Sequence, residues 1–186
     1  MKRSDLINAA GFQAGWWLTI LGAAHGLPWL GPLAVFPLIG LHLVYFSSRP
    51  RSELAFISLC TAAGFAIDSA IFAAGIAQAT NPMVPGWPIC PLWLLGLWFL
   101  FPATLSYSLG WLIGRPLLQV LFGAFGGATS YIAGVQLGAL SFPSGWWAGA
   151  LTYAIVWSFL LPALYALSGW LSPLSEPVLD GPNEAA

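Results

Sequence analysis

LAFISLCTAAGFAIDSAIFAAGI, residues 54–76, carries a single charged side chain, Asp68. At about 1.5 Å of rise per residue, such a run is long enough to cross a hydrocarbon core about 30 Å thick. Its flanks are equally telling: Arg49, Arg51 and Glu53 lie just before it, and a proline- and glycine-containing stretch follows. The rest of the chain repeats the pattern. Five further apolar runs cover 7–24, 28–46, 90–112, 116–140 and 146–170. The 186 residues are 59% hydrophobic and 6% charged, with a mean hydropathy of +0.82. A water-facing domain carries roughly 25% charged residues, so this chain is expected to be solvated mainly by lipid. The expected fold is an all-α polytopic membrane bundle of about six transmembrane helices, forming one domain over 1–171.

Charge placement gives the expected orientation. With the N-terminus in the cytoplasm, six crossings put Lys2, Arg3, Arg49, Arg51 and Arg115 on one side, as the positive-inside rule requires. The tail 172–186, with Glu176, Asp180 and Glu184, is expected to be cytoplasmic and disordered. No cleavable signal peptide is read at the start, because no polar mature domain follows a small-residue cleavage site. The run 28–46 contains Pro28, Pro32 and Pro37 and is expected to be kinked or partly re-entrant. In the loop 77–89, Pro82, Pro85 and Pro88 are expected to prevent strand pairing. Trp29, Trp87, Trp93, Trp146 and Trp147 would form an outer aromatic belt, and Trp111 and Trp170 an inner one. Trp16, Trp17, Trp98 and Trp157 lie deeper and must pack or line a cavity.

The residues that could carry chemistry are few. Asp68 lies about 21 Å above Leu54, in the outer half of the core, where a charged, lipid-facing carboxylate costs several kcal/mol. An intramembrane carboxyl is by default a ligand or proton site; the alternative is an acid that only ties helices together. Counting along the helices sets Ser130, Tyr131 and Trp98 level with Asp68, and His25 and Gln136 somewhat higher. A ligand pocket of Asp68, Trp98, Tyr131, Gln136 and His25 is therefore expected. Gln13 and His42 form a lower polar layer, about 6–9 Å from the inner face, read either as a hydrogen bond between helices or as a proton relay. Asn8 and Gln119 are lower still. Thr104 and Ser108 are expected to bond back to carbonyls of their own helix; the competing reading is a polar stripe facing an internal cavity.

Gly126, Ser130, Gly134 and Gly138 recur at steps of four, with Gly123 and Gly127 as a second small pair. Small side chains let membrane helices approach closely, either within one chain or across a homodimer; the alternative is a groove that admits a ligand. Several functions are excluded. No basic patch exists for nucleic acid. Two histidines with no adjacent carboxylate make no metal site, and no nucleophile elbow or phosphate-cradling loop occurs. Cys60 and Cys90 cannot build a disulfide framework. No cofactor is implied.

Phe12-Gln13-x-x-Trp16, Leu21-Gly22-Ala23-Ala24, Leu41-His42-Leu43, Asp68-Ser69, Pro91-Leu92-Trp93-Leu94-x-x-Leu97-Trp98, Thr104-Leu105-x-x-Ser108-Leu109 and Ser130-Tyr131-x-x-Gly134 follow one another along the chain. Together they resemble a family of small bacterial inner-membrane proteins classed as a domain of unknown function. The resemblance runs from about Asn8 to Pro162. Genes of that family often sit beside those for cyclopropane-fatty-acid-synthase-like and flavin amine-oxidase-like proteins, in clusters associated with photo-oxidative stress. The resemblance implies a role near membrane-lipid modification, with membrane lipids and lipid-modifying enzymes as partners, and supplies no catalytic residue. A lipid-binding or lipid-modifying protein is thus the leading expectation. A small-solute transporter, similar in size to vitamin-binding subunits of energy-coupling-factor importers, is the second, and a membrane scaffold the third.

Overall fold

A computed structural model describes residues 2–84 and 86–171; the tail expected to be disordered lies outside them. The chain folds into an all-α bundle. Six helices follow one another: α1 Arg3–Ala24, α2 Leu30–Tyr45, α3 Pro50–Ala73, α4 Leu92–Leu100, α5 Pro116–Gln136 and α6 Trp146–Leu171. Of these, α3, α5 and α6 are long and apolar enough to cross a membrane.

The helix ends follow from local chemistry. The Asp5 carboxylate accepts from the Lys2 N–H at 3.0 Å, covering a free donor at the start of α1. Proline opens α3 and α5, where a missing N–H costs nothing. α1 stops at Gly26, whose φ of +77° suits glycine, and the Leu27 N–H turns back to the Gly22 carbonyl at 2.7 Å. The proline-bearing second run is continuously helical from Leu30, with Pro37 inside it.

The fourth run departs from expectation. It is apolar to Leu112, yet its α-helix ends at Leu100. Two short 3-10 turns, Pro102–Thr104 and Gly110–Leu112, and the bends between them carry the chain onward. Pro102 is the reason: it has no N–H to give the Trp98 carbonyl one turn earlier. The Thr61 hydroxyl of α3 lies 3.0 Å from that carbonyl and 2.7 Å from the Ile57 carbonyl of its own helix, so its single proton is shared between the two.

α4 is the central element, packed on α1, α2 and α3, while α5 and α6 pack along each other. α1 and α5 run in the same direction, since Trp16 meets Ser130 and Ile20 approaches Gly134. All five cationic side chains lie at the starts of α1, α3 and α5, here called the lower end. At the upper end, a two-residue strand β1 (Gln78–Ala79) pairs antiparallel with β2 (Leu140–Ser141). The prolines of the 77–89 loop therefore do not prevent pairing, because the strand is complete before Pro82. The Asn81 carboxamide then caps the α1 C-terminus, donating to the Ala23 carbonyl at 2.9 Å.

The surface is apolar and the interior holds the polar groups. Phe36, Val44, Phe125, Phe159 and Trp170 point outward, whereas Asn8, Thr61, Asp68 and Gln119 are buried. Such a distribution suits a lipid surround. Trp29, Trp87, Trp111, Trp146, Trp147 and Trp170 are exposed near helix ends, but Trp93 is fully buried and belongs to the core rather than a belt.

Candidate functional site

The site is built around Gly64 and Asp68, one turn apart on α3. A methyl group at Gly64 would collide with the Trp98 indole, so glycine here lets that ring lie flat against the α3 backbone. Trp98 then donates its Nε1–H to Asp68 Oδ2 at 2.7 Å. The Tyr131 hydroxyl of α5 donates to the same oxygen, also at 2.7 Å. One carboxyl oxygen thus fixes two rings from two other helices. Buried polar groups demand such partners.

Each ring is backed by a second. Trp98 stacks on Trp157 of α6, with centroids 5.2 Å apart and planes 9° apart. Tyr131 stacks on Tyr153 of α6 at 3.5 Å and 16°. Trp157 sits in a notch where side chains at Gly123 or Gly127 would strike its backbone or ring. The notch coincides with a π-helical stretch, Gly123–Gly127, inside α5. Widened turns of this kind occur often at functional sites. The close seam within the chain therefore uses the Gly123 and Gly127 pair. Gly126 and Ser130 lie outside that seam and line a cavity, which Gly123 and Gly127 also border, and Gly138, at φ +87°, lies in the turn after α5.

That cavity, about 480 Å³, lies between α1 and α5, with α4 and α6 behind it. Its volume is within the range of sites for small ligands. Phe12, Trp16, Trp98, Phe101, Phe122, Tyr131 and Trp157 supply its aromatic wall. Trp16 spans the opening, donating from its indole to Ser130 Oγ at 3.1 Å. Among the described residues that line it, none is charged and none is His or Cys.

The placement of the expected residues is mixed. Asp68, Trp98 and Tyr131 do come together, but Asp68 stands behind the wall, 1% exposed, while Trp98 and Tyr131 face the void. His25 is exposed, its ring beside its own Leu21 carbonyl at 2.9 Å. Gln136 is exposed too, and neither residue lines the cavity. Gln13 does line it. His42 is not bonded to Gln13: its Nε2 lies 2.6 Å from Glu53 Oε1, between Phe46 and Tyr107. A carboxylate is therefore adjacent in space though not in sequence, and the short α2–α3 connection was the signal for it. No group of three metal-binding side chains exists among the described residues.

The unwound segment after α4 has its own set of ties, which sequence reasoning did not assign. Asn8 donates to the Ala103 carbonyl at 2.9 Å and accepts from the Ser108 hydroxyl at 2.7 Å. Gln119 donates to the Leu112 carbonyl, Tyr165 to that of Leu109, and Tyr107 to that of Phe46. Thr104 bonds back to the Phe101 carbonyl as expected, whereas Ser108 bonds to Asn8 instead.

Fold and cavity together define an all-helical bundle, apolar outside, with a half-open cavity lined by aromatic and other uncharged residues. The chain belongs to the family described as protein of unknown function (DUF2878), which matches residues 5–163. The matched stretch includes every residue that lines the cavity. No curated protein and no solved structure matches the chain.

Proposed function

We propose that this protein is an integral protein of the bacterial cytoplasmic membrane that holds a membrane lipid or other apolar molecule in the cavity between α1 and α5. The observation that carries the reading is the cavity itself: about 480 Å³, walled by aromatic rings that a buried carboxylate fixes in place. Asp68 is a positioning residue here, acting through Trp98 and Tyr131. The lining offers hydroxyls, indoles and one carboxamide but no charged acid or base, which favours holding a molecule over transforming it. The five cationic side chains at the lower end support a cytoplasmic N-terminus. All six helices are then read as crossings, with α4 a half-helix continued by the unwound segment. Irregular backbone is tolerated at membrane depth where protein groups satisfy it, and Asn8, Gln119 and Tyr165 do so.

Mass spectrometry of molecules co-purifying with wild type and with Gly126→Leu tests the proposal. A methyl at Gly126 meets only Phe122 of its own turn, so leucine fills the void without breaking the seam. An apolar compound enriched in wild type and depleted at least tenfold in the variant is expected. Identical profiles would refute the reading.

A further inference from the structure

The walls of the cavity differ in exposure, and the difference locates its mouth. Among the described lining residues, Gln13, Phe122 and Thr129 are exposed, and all three belong to α1 or α5. Leu97, Tyr131, Trp157 and Leu161 form a buried floor. Ile20 and Leu140, toward the upper end, are buried too, as is Thr104 of the unwound segment. The void therefore opens between two helices.

That opening lies at mid-height. Gln13 is at the middle of α1 (Arg3–Ala24) and Gly126 at the middle of α5 (Pro116–Gln136), each about 15 Å from either helix end. The two midpoints stand level, because the Trp16–Ser130 bond joins the helices one turn above both. Trp17, Leu18, Leu121 and Phe125, which point outward nearby, are all apolar. The Thr129 hydroxyl turns back to the Phe125 carbonyl of its own helix at 2.7 Å, as a hydroxyl does where water is scarce. The nearest charged side chains along α1 and α5, Asp5 and Arg115, lie about two turns below the rim. With α1 and α5 as crossings, such a mouth faces hydrocarbon. A polar side chain at that depth, Gln13, is costly and marks a pathway.

The helices that flank the mouth are not packed on each other: α1 packs along α2 and α4, and α5 along α6. The Trp16 indole, braced edge-on by Trp17, bridges them to Ser130 Oγ at 3.1 Å. One turn higher, Ile20 approaches Gly134. A single hydrogen bond has a small net worth, so this bridge opens far more readily than a packed seam. We propose that the occupant enters sideways from the hydrocarbon of the bilayer, between α1 and α5, through a portal that the Trp16–Ser130 hydrogen bond latches. The occupant is then drawn from molecules dissolved in the membrane, and not from solutes in either aqueous phase.

This inference rests on the cavity being a ligand site, and the test separates the two, using the full-length protein in nanodiscs. Both native cysteines are fully buried, so nitroxide labels go to introduced thiols. A label at Thr129→Cys, on the rim, is expected to collide more with oxygen, which dissolves in lipid, than with a water-soluble nickel chelate. For the latch, labels at the exposed positions Leu18→Cys and Phe125→Cys report the α1–α5 separation by pulsed dipolar spectroscopy. Ser130→Ala is expected to raise the share of molecules at longer separation about fivefold, the factor of one net hydrogen bond. Trp16→Phe, which keeps a ring and loses the N–H, should do the same while leaving the Ser130 hydroxyl in place. For the cavity, a hydrocarbon with a mid-chain diazirine, dissolved in the bilayer, should photolabel the floor at Leu97 and Leu161 in wild type and not in Gly126→Leu. Floor labelling together with nickel collisions dominating at position 129 overturns sideways entry. Floor labelling with separations unchanged in both variants overturns the latch. A floor unlabelled in wild type, or labelled equally in Gly126→Leu, overturns the cavity reading itself and the portal with it.

Discussion

Two buried polar regions hold this bundle together, and they are organised in opposite ways. In the upper one, around Asp68, a single carboxyl oxygen receives two donors from two helices. In the lower one, around residues 101–115, several side chains each hold one or two backbone or hydroxyl groups of an unwound segment. The upper region is concentrated and built of side chains bonded to side chains. The lower is distributed and built mainly of side chains bonded to backbone. The contrast predicts how each fails. A concentrated anchor loses everything with one residue; a distributed one loses a share.

Asp68→Ala should therefore have the largest effect. It strands the Trp98 N–H and the Tyr131 hydroxyl, both buried, at about 1–3 kcal/mol each. Thermal unfolding in detergent should show the loss, and Asp68→Asn, which keeps an acceptor, should recover part of it. Equal stability of the alanine variant and wild type would break the comparison at its strong end. Asn8→Ala comes next. It releases the Ala103 carbonyl and the Ser108 hydroxyl, for about 1–3 kcal/mol in total, and hydrogen exchange should rise over 101–110 while the Trp98 environment stays unchanged. Rapid exchange spreading to the Asp68 cluster would show that the two regions are one unit. Tyr165→Phe should be mildest, at about 1 kcal/mol, since it frees only the Leu109 carbonyl and keeps the ring's packing. A larger loss than that of Asn8→Ala would mean the lower ties are not shared out as described.

The same contrast explains what could be read from sequence. Long apolar runs gave five of the helices because lipid solvation and helix length leave a strong trace in composition. The fourth run was misread because apolarity reports the surroundings and not continuity: Pro102 removes one N–H, and no hydropathy window registers it. Asp68, Trp98 and Tyr131 could be set at one height because rise per residue is fixed. His25 and Gln136 were set near them by the same count, yet height does not fix which way a helix is turned, and both face outward. That Asp68 lies behind the cavity wall was hidden for the same reason. Glu53 went unassigned because it falls just outside an apolar run, while its partner is brought back by a tight connection. The ties of Asn8 and Gln119 could not be anticipated, because the backbone groups they hold exist only where the chain unwinds.

Those ties also set an order on biosynthesis. When the segment after α4 leaves the ribosome, Asn8 has been made about a hundred residues earlier, since its partner Ser108 stands 100 positions away. The Leu109 carbonyl must wait for Tyr165, 56 residues later. The Asn8 tie can therefore form only once the chain has reached Ser108, and the unwound stretch is not fully tied until the last helix supplies Tyr165.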